Sequence, residues 1–149
     1  SVQAGLRRLA QIGASPADWV LVHDAARCLI QPEWVQSLIT QCQSDPVGGL
    51  LAMPLPDTLK QADGRQRVSA TLPREGKWLA QTPQMFKLGP LTQALDQAGL
   101  DVTDEASAME AMGSQPLLVQ GSAMNFKVTY ADDFRWAEWA LVARKEKDT

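Results

Sequence analysis

An apolar run over residues 19–22 stops abruptly at His23 and Asp24, and Arg27 follows three positions later. Such a run is typical of a buried strand, and open α/β sheets bind ligands at the carboxyl ends of their strands. Asp24 could therefore orient a metal ion or hydrogen-bond substrate hydroxyls, and Arg27 could bind a phosphate or carboxylate in the same cleft. A turn or capping role for Asp24 and a solvated position for Arg27 remain open.

Two further segments carry side chains that could meet a ligand. Thr103 precedes a predicted helix whose first backbone N–H groups are free to bind an anion, and a helix N-cap role accounts for this threonine equally well. Lys127 lies between the apolar residues Phe126 and Val128. This pattern predicts a short strand, with the lysine on an exposed face or at a functional edge. His23 alternates away from Asp24 along its predicted strand, which favours a structural role for the ring.

Residue counts exclude several kinds of site. With one histidine and two cysteines, no zinc-binding spacing, Ser-His-Asp set or Cys-His pair can be built. Gly48-Gly49 leads into a predicted strand rather than a helix, so it is neither a P-loop nor a Rossmann fingerprint. Two cysteines without metal-ligand spacing are typical of reduced thiols in a cytoplasmic protein.

The composition predicts one globular domain. The chain has 149 residues, of which 45% are hydrophobic and 21% charged, which is enough for one core. A net charge of −3 argues against a nucleic-acid-binding surface. No apolar stretch is long enough to span a bilayer, and the first residues show no signal-peptide pattern.

Strand and helix patterns alternate along the chain, which predicts an α/β fold with a mostly parallel or mixed sheet and helices on its faces. The last helix is expected to turn Phe134, Ala137, Ala140 and Leu141 inward. Predicted helices cover 1–12, a segment from Pro32, 90–98, 103–112 and a last segment opened by 129–132, and predicted strands cover 19–23, 50–55, 78–82, 117–119 and 126–128.

Residues 56–77 form a polar segment with a hairpin pattern. A turn signal at 62–64 separates the candidate strands 58–60 and 68–72. Because such a hairpin has little apolar surface of its own, it would be marginal in isolation. The hairpin must therefore pack against its own domain or around a partner.

These polar segments occur in an order and spacing that resemble the bacterial 2-C-methyl-D-erythritol 4-phosphate cytidylyltransferases, over nearly the whole chain. The resemblance implies a Rossmann-like mixed sheet of the nucleotide-diphospho-sugar transferase type with helices on both faces. It also implies a CTP-dependent enzyme of isoprenoid precursor synthesis that is assisted by Mg²⁺ and located in the cytoplasm. The matching strings are Val22-His23-Asp24-Ala25-Ala26-Arg27, Asp57-Thr58, Arg74, Thr82-Pro83-Gln84, Thr103-Asp104-Glu105-Ala106-Ser107 and Asn125-Phe126-Lys127-Val128-Thr129.

The resemblance also implies a role for individual residues. Lys127 and Asp24 would be catalytic, with Lys127 neutralising phosphate charge and Asp24 acting indirectly towards the metal. Ser1 would contact the nucleotide. Residues 54–77 would form a β-arm that clasps the second subunit of a homodimer. The substrate-binding residues implied by the family are Ala25, Arg27, Thr58, Arg74, Thr82 and Thr103.

The chain departs from the family pattern in four places. Cys28 replaces a proline, Met124 replaces an acidic residue, and residues 130–133 replace Pro-Glu-Asp. The N-terminal Gly-rich loop that holds the triphosphate is not represented. We therefore expect residues 1–149 to be the C-terminal part of one cytidylyltransferase domain, inactive by itself. A ribitol-phosphate cytidylyltransferase and a non-catalytic acceptor-binding or dimerisation fragment are the alternatives.

Overall fold

The predicted alternation of strands and helices is present in the computed structural model, which describes residues 2–99 and 102–147. The helices are α1 Val2–Gln11, α2 Pro32–Cys42, α3 Leu88–Gln97, α4 Glu105–Ala111 and α5 Ala131–Lys147. The strands are β1 Trp19–Val22, β2 Gly48–Pro54, β3 Leu59–Ala62, β4 Val68–Leu72, β5 Trp78–Lys87 and β6 Leu117–Gln120.

The main sheet is mixed, as the sequence predicted. Its strand order is β1-β5-β2-β6, with β5 antiparallel to both β1 and β2 and with β2 parallel to β6. The strands β1, β2 and β6 therefore run in the same direction. Their carboxyl ends meet at one edge of the sheet, and the first half of β5 lies at that edge.

Helices cover both faces of this sheet because β2 and β5 bury side chains alternately on each face. Leu50 and Phe86 pack on one face against apolar residues of α1, α3 and α4. Leu51 and Met85, their neighbours in sequence, pack on the other face against α2. Full burial of a side chain such as Phe86 or Leu51 contributes about 1.5–3 kcal/mol, so these two clusters hold the sheet in place.

Gly48 allows β2 to enter the sheet beside β5. Its φ is +104°, a conformation that L side chains rarely adopt, and an added Cβ would collide with the carbonyl oxygen of Met85. The Asp45 side chain accepts hydrogen bonds from the N–H groups of Val47 and Gly48 at 2.8 and 2.9 Å. This turn fixes where the strand begins.

Strands β3 and β4 form a separate two-stranded hairpin. The predicted turn is closed by Asp63, whose carboxylate accepts hydrogen bonds from the N–H groups of Arg65 and Arg67 at 2.8 and 2.9 Å. Those two hydrogen bonds lower the pKa of Asp63. Val68 is 67% exposed, so the hairpin has almost no core of its own, in agreement with its sequence.

Sequence expectations for residues 126–128, for the start of α4 and for the inward face of α5 are wrong. Residues 126–128 are not a strand: they follow the buried Asn125 as an irregular segment, tied by a main-chain bond from Val128 N–H to the Ala26 carbonyl (2.9 Å). Helix α4 begins later than expected, because Asp104 rather than Thr103 is its N-cap. On α5, Ala137 is buried but Phe134 and Leu141 are 67% and 40% exposed.

Within residues 2–99 and 102–147, none of the helices has the length and apolar character needed to cross a membrane.

The two cysteines are expected to react very differently with thiol reagents. Cys42 is fully buried in α2, where burial and the nearby Asp45 raise its pKa to about 11, whereas Cys28 is exposed. Because the thiolate is the reactive form, Cys42 stays protonated and shielded at pH 8. We expect one thiol per chain to react with Ellman's reagent in the native protein and two in denaturant. Rapid native labelling that persists in Cys28→Ser would contradict the assignment.

Candidate active site

A carboxylate and an ammonium group lie together at the sheet edge where β1, β2 and β6 end. Asp24 lies two residues beyond the end of β1, and its Oδ2 lies 3.0 Å from the Nζ atom of Lys127. The two side chains are 40% and 51% exposed. An ion pair this accessible contributes about 1 kcal/mol or less to stability. Both groups are therefore available to exchange partners with a charged ligand.

Arg27 joins three parts of the site through its guanidinium. Its terminal nitrogens donate hydrogen bonds to the main-chain carbonyls of Asn125 (2.7 Å) and Ala80 (3.3 Å), and its Nε lies 3.9 Å from Asp24 Oδ2. Burial lowers the pKa of Arg27, while the negative charge of Asp24 opposes that shift. The geometry shows Arg27 fastening the turn after β1 to the segment that carries Lys127.

A buried amide fixes the Lys127 segment to β5. Asn125 is fully buried, and its Nδ2 donates to the Thr82 carbonyl at 2.9 Å and to Gln81 Oε1 at 3.3 Å. Gln81 in turn donates to the Ser122 carbonyl at 2.8 Å. Such bonds satisfy polar groups that water cannot reach, so they set where the irregular segment lies.

Thr82 links β5 to the turn that begins at Asp24. Its hydroxyl oxygen accepts a hydrogen bond from the Asp24 main-chain N–H at 3.0 Å and lies 2.9 Å from His23 Nδ1. The residue is 7% exposed. The hydroxyl therefore already has two protein partners.

The first turn of α4 approaches the same edge. Asp104 caps the helix by accepting from Ser107 N–H at 2.9 Å, and it also accepts from Gln84 of β5 at 2.8 Å. Glu105 is half-buried; burial raises its pKa, and the carboxylates of Asp104 and Asp24 add to the rise. Thr103 is exposed beside this turn.

Two of the remaining predicted residues belong to the hairpin segment and one belongs to the turn after β1. Thr58 and Arg74 are exposed at the base of the hairpin, where Arg74 donates to the Pro56 carbonyl. Ala25 lines an open groove of about 710 Å³ between the turn and α5. Ser1 lies outside the described residues, so its predicted nucleotide contact has no structural counterpart here.

The site has the chemistry to bind a phosphorylated ligand that also has hydroxyl groups. Lys127 supplies a positive charge, and the carboxylate of Asp24 can accept hydrogen bonds from hydroxyls. Among the described residues there is no cluster of three or more side chains typical of a metal site. A Mg²⁺ ion commonly needs only one or two carboxylates, with phosphates and water completing its ligands. Asp24 has the chemistry of the single carboxylate that such an ion would need.

Sequence reasoning missed several residues that hold the site together. Gln81, Gln84, Asn125 and Asp104 bond across 20 to 44 positions of sequence. All four lie in or beside the polar strings that indicated the site, and this proximity could have identified them as part of it. Their partners, however, are largely backbone groups or other uncharged side chains, which no residue pattern identifies.

Comparison with known proteins agrees with the geometry. The family described as "IspD: 2-C-methyl-D-erythritol 4-phosphate cytidylyltransferase" matches residues 1–143. The chain is 61% identical over 149 residues to the "Bifunctional enzyme IspD/IspF" of Albidiferax ferrireducens, covering all of this chain and 35% of that protein. It is 54% identical to the "2-C-methyl-D-erythritol 4-phosphate cytidylyltransferase" of Cupriavidus pinatubonensis, covering 95% of this chain and 60% of that protein.

Solved structures show the same fold. The crystal structure of a 4-diphosphocytidyl-2C-methyl-D-erythritol synthase has a TM-score of 0.88 and 45% identity, with 94% of this chain and 65% of that one covered. The Francisella tularensis 2-C-methyl-D-erythritol 4-phosphate cytidylyltransferase has a TM-score of 0.85 and 39% identity, with 93% and 65% covered. Thus the chain spans less than two thirds of the length of these relatives. On both sequence and fold, it belongs to the 2-C-methyl-D-erythritol 4-phosphate cytidylyltransferase family, IspD.

Proposed function

We propose that this chain acts in the transfer of CMP from CTP to 2-C-methyl-D-erythritol 4-phosphate. A phosphate oxygen of the acceptor would attack the α-phosphorus of CTP, and the bond to pyrophosphate would break. The products would be CDP-methylerythritol and pyrophosphate. The observation that carries the proposal is the accessible pair of Asp24 and Lys127 at the carboxyl edge of the sheet, in a chain of this family.

The residues of this chain would serve mainly the acceptor. Lys127 neutralises charge on the acceptor phosphate as the new phosphate bond forms. Asp24 orients the acceptor hydroxyls and Thr103 lines the binding surface, while the buried Thr82 holds the backbone of Asp24. A Mg²⁺ ion, when bound with the nucleotide beside Asp24, supplies charge neutralisation at the triphosphate. The proposal also includes a contact between Ser1 and the nucleotide. It further includes a cytoplasmic location for the protein.

A homodimer is part of this proposal. The exposed hairpin has two strands and almost no core, so a second subunit would supply the surface on which it packs. With residues 54–77 acting as an arm, Thr58 and Arg74 of one subunit would reach the acceptor site of the other.

Because residues 1–149 are expected to be inactive by themselves, the reaction is tested with a protein that carries them together with a Gly-rich loop of the family. It is incubated with CTP and each acceptor, and pyrophosphate and the CDP-linked product are measured. Ribitol 5-phosphate is the comparison acceptor, because the arm residues do not discriminate between the two polyol phosphates by charge. We expect product with methylerythritol phosphate. Product with ribitol 5-phosphate and none with methylerythritol phosphate would identify ribitol 5-phosphate as the acceptor instead. Calorimetric binding of the acceptor but not of CTP would favour a non-catalytic binding module.

Arg74→Ala is expected to lower kcat/KM for the acceptor roughly thirtyfold, since a lost charge-assisted contact to phosphate is worth about 2 kcal/mol. The KM for CTP should stay unchanged in steady-state kinetics. Arg65→Ala, at the tip of the same hairpin, is the matched control and should behave as wild type. An equal loss for acceptor and CTP would contradict an acceptor-binding role for Arg74.

Mixing two variants tests whether the arm acts on the other subunit. A dimer of one Arg74→Ala subunit and one Lys127→Met subunit contains one site with neither defect, provided that Arg74 contributes across the interface. Mixed and re-equilibrated variants should therefore recover activity that neither shows alone. No recovery, with mixed dimers demonstrated by native mass spectrometry, would place Arg74 in its own subunit's site.

A further inference from the structure

The His23 ring connects strand β5 to the turn that carries Asp24. Its Nδ1 lies 2.9 Å from the Thr82 hydroxyl, and its Nε2 lies 3.3 Å from the Arg27 carbonyl oxygen. The main-chain N–H of Arg27 donates to the Asp24 carbonyl at 2.9 Å and closes the turn. The imidazole thus spans from the buried strand β5 to the far end of the turn.

The partners of the ring determine which nitrogen carries the proton. A carbonyl oxygen only accepts hydrogen bonds, so Nε2 must be the protonated nitrogen that donates to Arg27. In a neutral imidazole, Nδ1 is then the acceptor, and the Thr82 hydroxyl must donate to it. With its hydrogen used in this way, the Thr82 oxygen directs a lone pair at the Asp24 N–H, 3.0 Å away.

This chain of bonds has a consequence for Asp24. With its hydrogen directed at His23, the Thr82 hydroxyl keeps its lone pairs for the Asp24 backbone N–H. Thr82 is 7% exposed within β5, so it is a fixed anchor for that backbone. The carboxylate of Asp24 is thereby held 3.0 Å from Lys127 Nζ.

We propose that His23 is a positioning residue for the acceptor site, with its ring bridging the Thr82 hydroxyl and the Arg27 carbonyl so that Asp24 faces Lys127. This inference rests on the proposed function for its effect on kinetics. In this role His23 transfers no proton and is not one of the reacting groups.

Two substitutions separate the two ends of the bridge. In His23→Asn, Oδ1 can take the place of Nδ1 and accept from Thr82, while the contact to Arg27 is lost. In His23→Gln, the amide can reach the Arg27 carbonyl, while the acceptor for Thr82 is lost. Because the His23 side chain is exposed, neither change should prevent folding, and thermal unfolding checks this.

We expect His23→Gln to raise the acceptor KM roughly tenfold, the change that one lost hydrogen bond produces, and His23→Asn to recover most of that loss. The KM for CTP should remain at its wild-type value in both. An unchanged acceptor KM in His23→Gln, or a parallel rise in the KM for CTP, would overturn the inference.

Two readouts do not depend on catalysis. Nitrogen NMR of the His23 ring, assigned by the loss of its signals in His23→Gln, should show the Nε2–H tautomer. Hydrogen exchange at the Asp24 amide should be faster in His23→Gln than in His23→Asn. An Nδ1–H tautomer or equal exchange rates would overturn the positioning role. The expected tautomer and exchange rates in a wild-type protein that transfers no CMP would support the bridge and refute the proposed function.

Discussion

Replacing Lys127 with methionine is expected to lower kcat/KM for CMP transfer by roughly 10²–10³-fold, the usual loss when one group that stabilises developing charge is removed. Methionine keeps most of the length of the side chain and removes its charge. The ion pair with Asp24 is half-exposed and contributes about 1 kcal/mol or less to folding. The melting temperature should therefore change little while the reaction rate falls, as measured by pyrophosphate release and by calorimetry.

Two control variants make this prediction specific. Lys127→Arg keeps the positive charge and should retain much more activity than Lys127→Met. Lys87→Met removes a lysine at the opposite edge of the sheet, where its Nζ lies 5.4 Å from the centre of the Trp19 ring. That variant should retain full activity. Equal losses in Lys127→Met and Lys87→Met would show that the effect comes from net charge and not from the site.

The sequence predicted most of the sheet and helices because their apolar residues follow the strand and helix periods. Strand β5 was predicted to end at Thr82 and continues to Lys87, since its second half is buried between β1 and β2. Residues 126–128 have an apolar composition like that of β6 yet form no strand. The bonds of Asn125 hold that segment against β5, and local propensity cannot reveal such a long-range constraint.

The family resemblance grouped Asp24, Thr82 and Lys127 at one site, but it did not predict how they interact. The three residues lie together in the structure, while their roles towards a substrate stay predictions. Arg27 was expected to bind a ligand, and its terminal nitrogens instead bond carbonyls of this chain. Its predicted contact with substrate stays a prediction. A guanidinium suits phosphate and backbone carbonyl alike, so residue type alone does not decide between them.

Asn125→Leu is expected to cause the largest loss of stability among the changes considered, about 3 kcal/mol. The Thr82 carbonyl and Gln81 Oε1 would each lose a hydrogen-bond donor in a place closed to water, at about 1–3 kcal/mol for each group left unsatisfied. For a domain of this size, the melting temperature should fall by roughly 6–12 °C. Scanning calorimetry and urea unfolding would measure the change.

The neighbouring Met124→Leu variant is the matched control, because Met124 is 45% exposed and surface changes usually shift stability by less than about 0.5 kcal/mol. Asn125→Leu should also weaken the site beyond its effect on stability. The Lys127 segment would lose its anchor to β5, so the acceptor KM should rise at temperatures where the variant is fully folded. A variant that melts with the wild type and keeps its acceptor KM would mean that Arg27, through the Asn125 carbonyl, is sufficient to hold the Lys127 segment in place.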